Sequence, residues 1–195
     1  MGTVVYFHGF ASTGQSSKVD ELRAALPDHT VIAPDLAAKP ADVLVQIDQL
    51  IRAVLDFPLF FVGTSLGGFW ASYFGQKYDV PHVVVNPSTQ PSLTMAARLG
   101  KQIENYQTGA VFTVDSADIG CYAQLESEIK ELYNGALVHL FVARDDDVLD
   151  SSVAVNYFKY TASKNIFESG GHRFTENWPA VVQYVNNLLT VDKPR

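Results

Sequence analysis

Gly63-Thr64-Ser65-Leu66-Gly67 follows the apolar run Leu59 to Val62 and opens a segment of helical character. A serine at a tight strand-to-helix turn presents its hydroxyl as a nucleophile, and small flanking residues keep side chains from colliding across the bend. Alone the pattern is weak, since a chain of this length shows it by chance about once in twenty. The strand before it and the helix after it turn it from a plain Gly-rich turn into a candidate nucleophile elbow.

A serine hydroxyl attacks poorly near neutral pH unless a base takes its proton and an acid orients that base. Around such an elbow the chain order is nucleophile, acid, histidine. Of the five histidines, His8 precedes Ser65, His29 and His82 border predicted strands, and His139 lies inside one. His172, in Ser169-Gly170-Gly171-His172-Arg173-Phe174, falls after the last predicted strand and before the last predicted helix, so it is the candidate base. The acid is expected at the end of the preceding strand, where Ala143-Arg144-Asp145-Asp146-Asp147-Val148-Leu149-Asp150 offers four carboxylates. Asp150 reads as an N-cap for the helix that follows. Asp145, Asp146 and Asp147 compete for the acid's place, with Asp146 favoured.

Acyl transfer also needs two backbone N–H groups aimed at the developing oxyanion. Leu66, just after the nucleophile, would supply one, and Phe10, in the His8-Gly9-Phe10-Ala11 loop after the first strand, the other. His8 itself is expected to shape that loop. Cys121 and the aromatic trio Phe69, Trp70 and Tyr73 are expected to be packing residues.

These residues need an alternating scaffold to bring them together. Short apolar runs at Val4–Phe7, Val31–Ala33, Leu59–Val62, His82–Val85, Leu137–Val142 and Ile166–Phe167 predict strands. Helical periodicity predicts helices over 17–25, 41–55, 66–77, 121–132, 152–160 and 178–189. In the last helix Val181, Val182, Val185, Leu188 and Leu189 share one face. The fold class expected is α/β, a compact three-layer αβα unit around a mostly parallel sheet of about six or seven strands. It occupies residues 1–195 as one domain. Residues 91–116 fit the alternation least, with a helix predicted around 94–106 and a strand at 111–114, and are expected to form a small cap-like insertion over the site.

Composition narrows the partners. The chain of 195 residues is 47% hydrophobic and 18% charged, ordinary values for a folded domain. A formal net charge of −7 argues against a polyphosphate partner, so nucleic acid is not expected. No run approaches the roughly 20 apolar residues of a membrane span, and the first ten residues lack the basic start of a signal peptide. The single cysteine forms no internal disulfide, and no ligand spacing suggests a metal. A cytoplasmic protein with no metal or cofactor is the expectation, its oligomeric state open.

The motifs at His8-Gly9-Phe10, 63–68, 146–148 and 170–172 together resemble the α/β-hydrolase superfamily, over nearly the whole chain. More narrowly, His8-Gly9-Phe10-Ala11-Ser12 with Ser16-Ser17-Lys18, Asn86-Pro87 and Val148-Leu149-Asp150 are similar to the YqiA/YcfP-like family of small bacterial esterases. That resemblance implies cofactor-free hydrolysis of acyl esters or thioesters. The superfamily pattern G-x-x-D-x-V falls on Ala143 to Val148 and implies Asp146 as the acid, although Ala143 stands where glycine is usual.

Two rival readings exist. Gly9 to Ser16 imitates the phosphate loop G-x-x-x-x-G-K-[ST], but Gln15 replaces the lysine that reaches the β- and γ-phosphates. A binding protein that keeps the fold without the chemistry is the other. The expectation is a serine esterase or thioesterase acting on a small-molecule substrate through an acyl-enzyme on Ser65, with Asp146 and His172 completing the triad.

Overall fold

The strands are apolar on both faces, the composition of a sheet covered on both sides. The computed structural model describes residues 2–191. Its strands are β1 (Thr3–Phe7), β2 (Thr30–Ile32), β3 (Leu59–Thr64), β4 (His82–Val85), β5 (Gln102–Glu104), β6 (Val111–Thr113), β7 (Val138–Ala143) and β8 (Ser163–Phe167). Its α-helices are α1 (Ser17–Ala25), α2 (Pro40–Val54), α3 (Leu66–Tyr78), α4 (Pro91–Ala96), α5 (Ser116–Leu132), α6 (Ser151–Tyr157) and α7 (Trp178–Val191).

Six strands form one sheet in the order β2-β1-β3-β4-β7-β8, and every neighbouring pair is parallel. Alternate residues point to opposite faces. Val5, Phe7, Phe61, Val84, Leu140 and Val142 join α2, α3, α5 and α6 in one core. Val4, Tyr6, Val62, Val83, Val85 and Phe141 pack with α1 and α7 in the other. Val181, Val182 and Val185 are buried there and Leu188 and Leu189 lean on them, as the periodicity of the last helix predicted. The order turns back at β1, whose neighbours β2 and β3 lie on opposite sides. In open α/β sheets, ligands bind beyond the carboxyl ends of the strands near such a reversal.

Residues 91–116 correct the sequence reading. The helix expected over 94–106 ends at Ala96, and an antiparallel hairpin of β5 and β6 follows. Asn105 accounts for the difference: its side-chain oxygen accepts from the N–H groups of Gln107 (3.0 Å) and Thr108 (3.1 Å), and this local turn competes with helix. Helix α5 starts five residues earlier than periodicity indicated. Asp115 caps it, accepting from Asp118 N, while the Asp118 carboxylate accepts from Asp115 N. That reciprocal box sits before the apolar repeat begins, so a reading based on period alone passes over it.

Candidate active site

The elbow is tight because backbone meets backbone. A Cβ on Gly63 would lie 2.1 Å from Gly67 O, and one on Gly67 would lie 2.0 Å from Phe7 O, so neither position accepts a side chain. Between them Ser65 adopts φ 56°, ψ −122°, a conformation that costs a non-glycine residue about 1–3 kcal/mol. Hydrogen bonds from Ser65 N to Val85 O (3.0 Å), and from Gly68 N (2.9 Å) and Ser88 N (3.0 Å) to Ser65 O, hold it there.

His172 arrives on the loop between β8 and α7, and its Nε2 lies 2.9 Å from Ser65 Oγ. Its Nδ1 lies 2.9 Å from both carboxylate oxygens of Asp146, which follows β7. An ionised carboxylate only accepts, so Nδ1 carries the proton and Nε2 is left as an acceptor facing the hydroxyl. The Asp146 side chain is 1% exposed and that of His172 19%. Burial works against charge on Asp146. The bond to His172, the N–H groups of Leu149 and Val148, and the charge of His172 outweigh it and hold the carboxyl below its usual range.

Of the four aspartates, the structure thus brings Asp146 to the imidazole. Asp150 caps α6, accepting from Ser152 N at 2.8 Å, as its position suggested. Asp145 does something sequence reasoning did not assign to it. Its carboxylate accepts from Gly170 N (3.2 Å) and Gly171 N (2.8 Å), fastening the loop that carries His172. Asn86, just past β4, was likewise missed as a brace. It is buried at φ 41°, accepts from Ala143 N at 2.9 Å, and donates to Gly171 O (2.9 Å) and His172 O (3.2 Å). The one sequence signal was an asparagine, which tolerates positive φ, at a strand end.

The loop after β1 runs beside Ser65: a Cβ on Gly9 would lie 3.5 Å from Ser65 Cβ. His8 shapes it as expected, Nδ1 facing Gly9 O at 2.8 Å and Nε2 accepting from Leu36 N at 2.9 Å. Among the described residues the N–H groups of Phe10 and Leu66 have no hydrogen-bond partner, which leaves both free for a ligand. Phe69, Trp70 and Tyr73 are buried in the core, and Cys121 leans on it. A cleft of about 960 Å³ opens over Ser65 and His172, walled in part by Phe10, Met95, Tyr106 and Val148. Among the described residues no cluster of side chains could hold a metal ion, and no helix is long and apolar enough to cross a membrane.

The model of a family described as "Uncharacterised protein family (UPF0227)" matches residues 3–189. The UPF0227 protein PC1_2487 of Pectobacterium carotovorum is 30% identical over 153 residues, 76% of this chain and 77% of that protein. The UPF0227 protein ECA1814 of Pectobacterium atrosepticum is 32% identical over 106 residues, 52% of this chain, and the match spans only 59% of that relative. Among solved structures, Est1E from Butyrivibrio proteoclasticus superimposes with a TM-score of 0.75 at 12% identity, over 97% of this chain and 87% of its own. The Paleococcus ferrophilus monoacylglycerol lipase does so at 0.71 and 14%, over 95% and 94%. Alpha/beta hydrolase domain-containing protein 10 from mouse gives 0.71 at 12%, over 96% and 89%. The fold is that of the α/β hydrolases.

Proposed function

We propose that this chain, which belongs to the UPF0227 family, is a serine hydrolase that cleaves carboxylic ester or thioester bonds through an acyl-enzyme on Ser65. One observation carries the reading: Ser65 Oγ, both ring nitrogens of His172 and the Asp146 carboxylate lie in an unbroken chain of 2.9 Å contacts. His172 Nε2 takes the hydroxyl proton as Oγ attacks the acyl carbon, and Asp146 stabilises the imidazolium that forms. The N–H groups of Phe10 and Leu66 receive the oxyanion, each such donor contributing about 3–4 kcal/mol in related sites. His172 then gives its proton to the leaving atom, and water, activated the same way, releases the acid. No cofactor enters these steps. Residues 91–116 act as a small cap on a single domain, supplying Met95 and Tyr106 to the cleft wall.

The test is covalent. A fluorophosphonate probe should label Ser65, and Ser65→Ala should lose both the label and the hydrolysis of p-nitrophenyl acetate. Persistence of hydrolysis in the alanine variant, or a wild-type protein that neither labels nor hydrolyses, would sink the reading.

A further inference from the structure

In the sequence segment resembling a phosphate loop, two amides are already occupied by the protein itself. Gly14 N donates to Asp35 Oδ1 at 2.7 Å and Gln15 N to Thr13 Oγ1 at 3.3 Å. The loop instead delivers the start of α1 to the cleft that contains Ser65, and Ser16, Lys18, His172 and Arg173 are among its lining residues. Within the first turn of α1, the N–H groups of Ser17 and Lys18 have no acceptor among the described residues, and a helix start carries partial positive charge. Ser16 Oγ is buried and without a hydrogen-bond partner.

Lys18 and Arg173 are two of the four cationic side chains that line the cleft, with Arg98 and Lys101. Among the described residues neither Lys18 nor Arg173 forms an ion pair, in a protein whose formal net charge is −7. The Lys18 ammonium stands 5.6 Å from the Trp178 ring centre. Burial lowers its pKa, the neighbouring Arg173 lowers it further, and Glu21 pulls the other way. Two cations that repel each other at a cleft wall are stabilised when an anion comes between them. A protein that carries a surplus of negative charge needs such a local field to admit one.

We propose that Lys18, Arg173 and the first turn of α1 form an anion subsite that holds a carboxylate or phosphate on the leaving-group side of the substrate. The side is part of the proposal: His172 must pass its proton to the departing atom, and Lys18 and Arg173 line the same cleft as His172. The inference rests on the serine-hydrolase reading, since it places the anion relative to the bond that Ser65 attacks.

Matched esters test it on the full chain. With 4-acetoxybenzoate, whose leaving phenol is anionic, kcat/KM should exceed that for the neutral isostere 4-acetoxybenzamide by about tenfold, the scale of one or two charge-assisted contacts. Acetoxyphenyl phosphate should share the preference. Lys18→Gln and Arg173→Gln should each reduce the ratio several-fold, and 0.5 M NaCl should erode it in the wild type. Because the ratio is internal to each protein, a variant of low overall activity still reports. The salt dependence needs no variant at all. A wild-type ratio near one, a ratio insensitive to both substitutions, or a preference confined to the acyl-side anion of p-nitrophenyl hemisuccinate would overturn the subsite. In those cases cleavage of the neutral ester and labelling of Ser65 show that the hydrolase reading survives. Absence of both would overturn the two together.

Discussion

At the scale of single residues, adjacent aspartates are given different work by a few ångströms of backbone. Asp146 faces the imidazole, while Asp145 grips the glycine amides that carry it. Asp146→Asn should lower kcat by about 10⁴-fold, because an amide oriented to donate stabilises the wrong tautomer of His172. Asp145→Asn keeps one acceptor and should cost about tenfold at most, together with a lower midpoint of thermal unfolding as the loop loosens. Steady-state kinetics and melting curves on the two variants separate an orienting acid from a loop clamp. Equal losses in kcat would contradict the assignment.

At the scale of elements, the hairpin of β5 and β6 is tied to the loop after β1. Tyr106 OH donates to Phe10 O at 3.0 Å, Asn105 Nδ2 donates to Ser12 O at 2.8 Å, and the Thr13 hydroxyl meets Gln107. The Phe10 and Phe112 rings pack edge to face with centroids 5.6 Å apart. On the proposed serine-hydrolase reading, the hairpin should help to hold the Phe10 amide in place. Tyr106→Phe removes one hydrogen bond, worth about 0.5–1.5 kcal/mol net, and should lower kcat two- to tenfold. Its thermal midpoint should hardly change, since Tyr106 is largely exposed. A variant with wild-type kcat would show that the hairpin leaves the loop's aim untouched.

At the scale of the whole molecule, acid acts on the chemistry and on the fold through different groups. Asp146 is held below the ordinary carboxylate range, so it stays ionised well into acid. The fold responds through His82, His8 and His139, all of which burial shifts downward. His82 is pushed to about 4, with Nδ1 2.9 Å from Val80 O and a buried, unpartnered Nε2. A base with a depressed folded pKa contributes its stability above the unfolded value of 6.5, and that stability is lost as pH falls toward about 4. The loss from His82 alone is on the order of 3 kcal/mol. Urea unfolding should show stability falling from pH 6.5 to 4.5, and His82→Gln should flatten that slope; an unchanged slope would contradict the assignment.

Local pattern determined a great deal. Strand and helix alternation is written in runs of buried Val, Phe and Leu, and the elbow is readable because only glycine permits the backbone contacts at 63 and 67. The order of Ser65, Asp146 and His172 was also legible, since topology constrains it. Tertiary structure decided what depends on approach between distant segments. Asn86 braces a loop some 85 residues downstream, Asp145 reaches across to glycine amides, and Lys18 and Arg173, distant in sequence, line one cleft. None of these pairings leaves a period or a spacing in the chain. They exist because a parallel sheet gathers the carboxyl ends of separate strands at one edge, where hydrogen bonds and charges then sort out which neighbour does what.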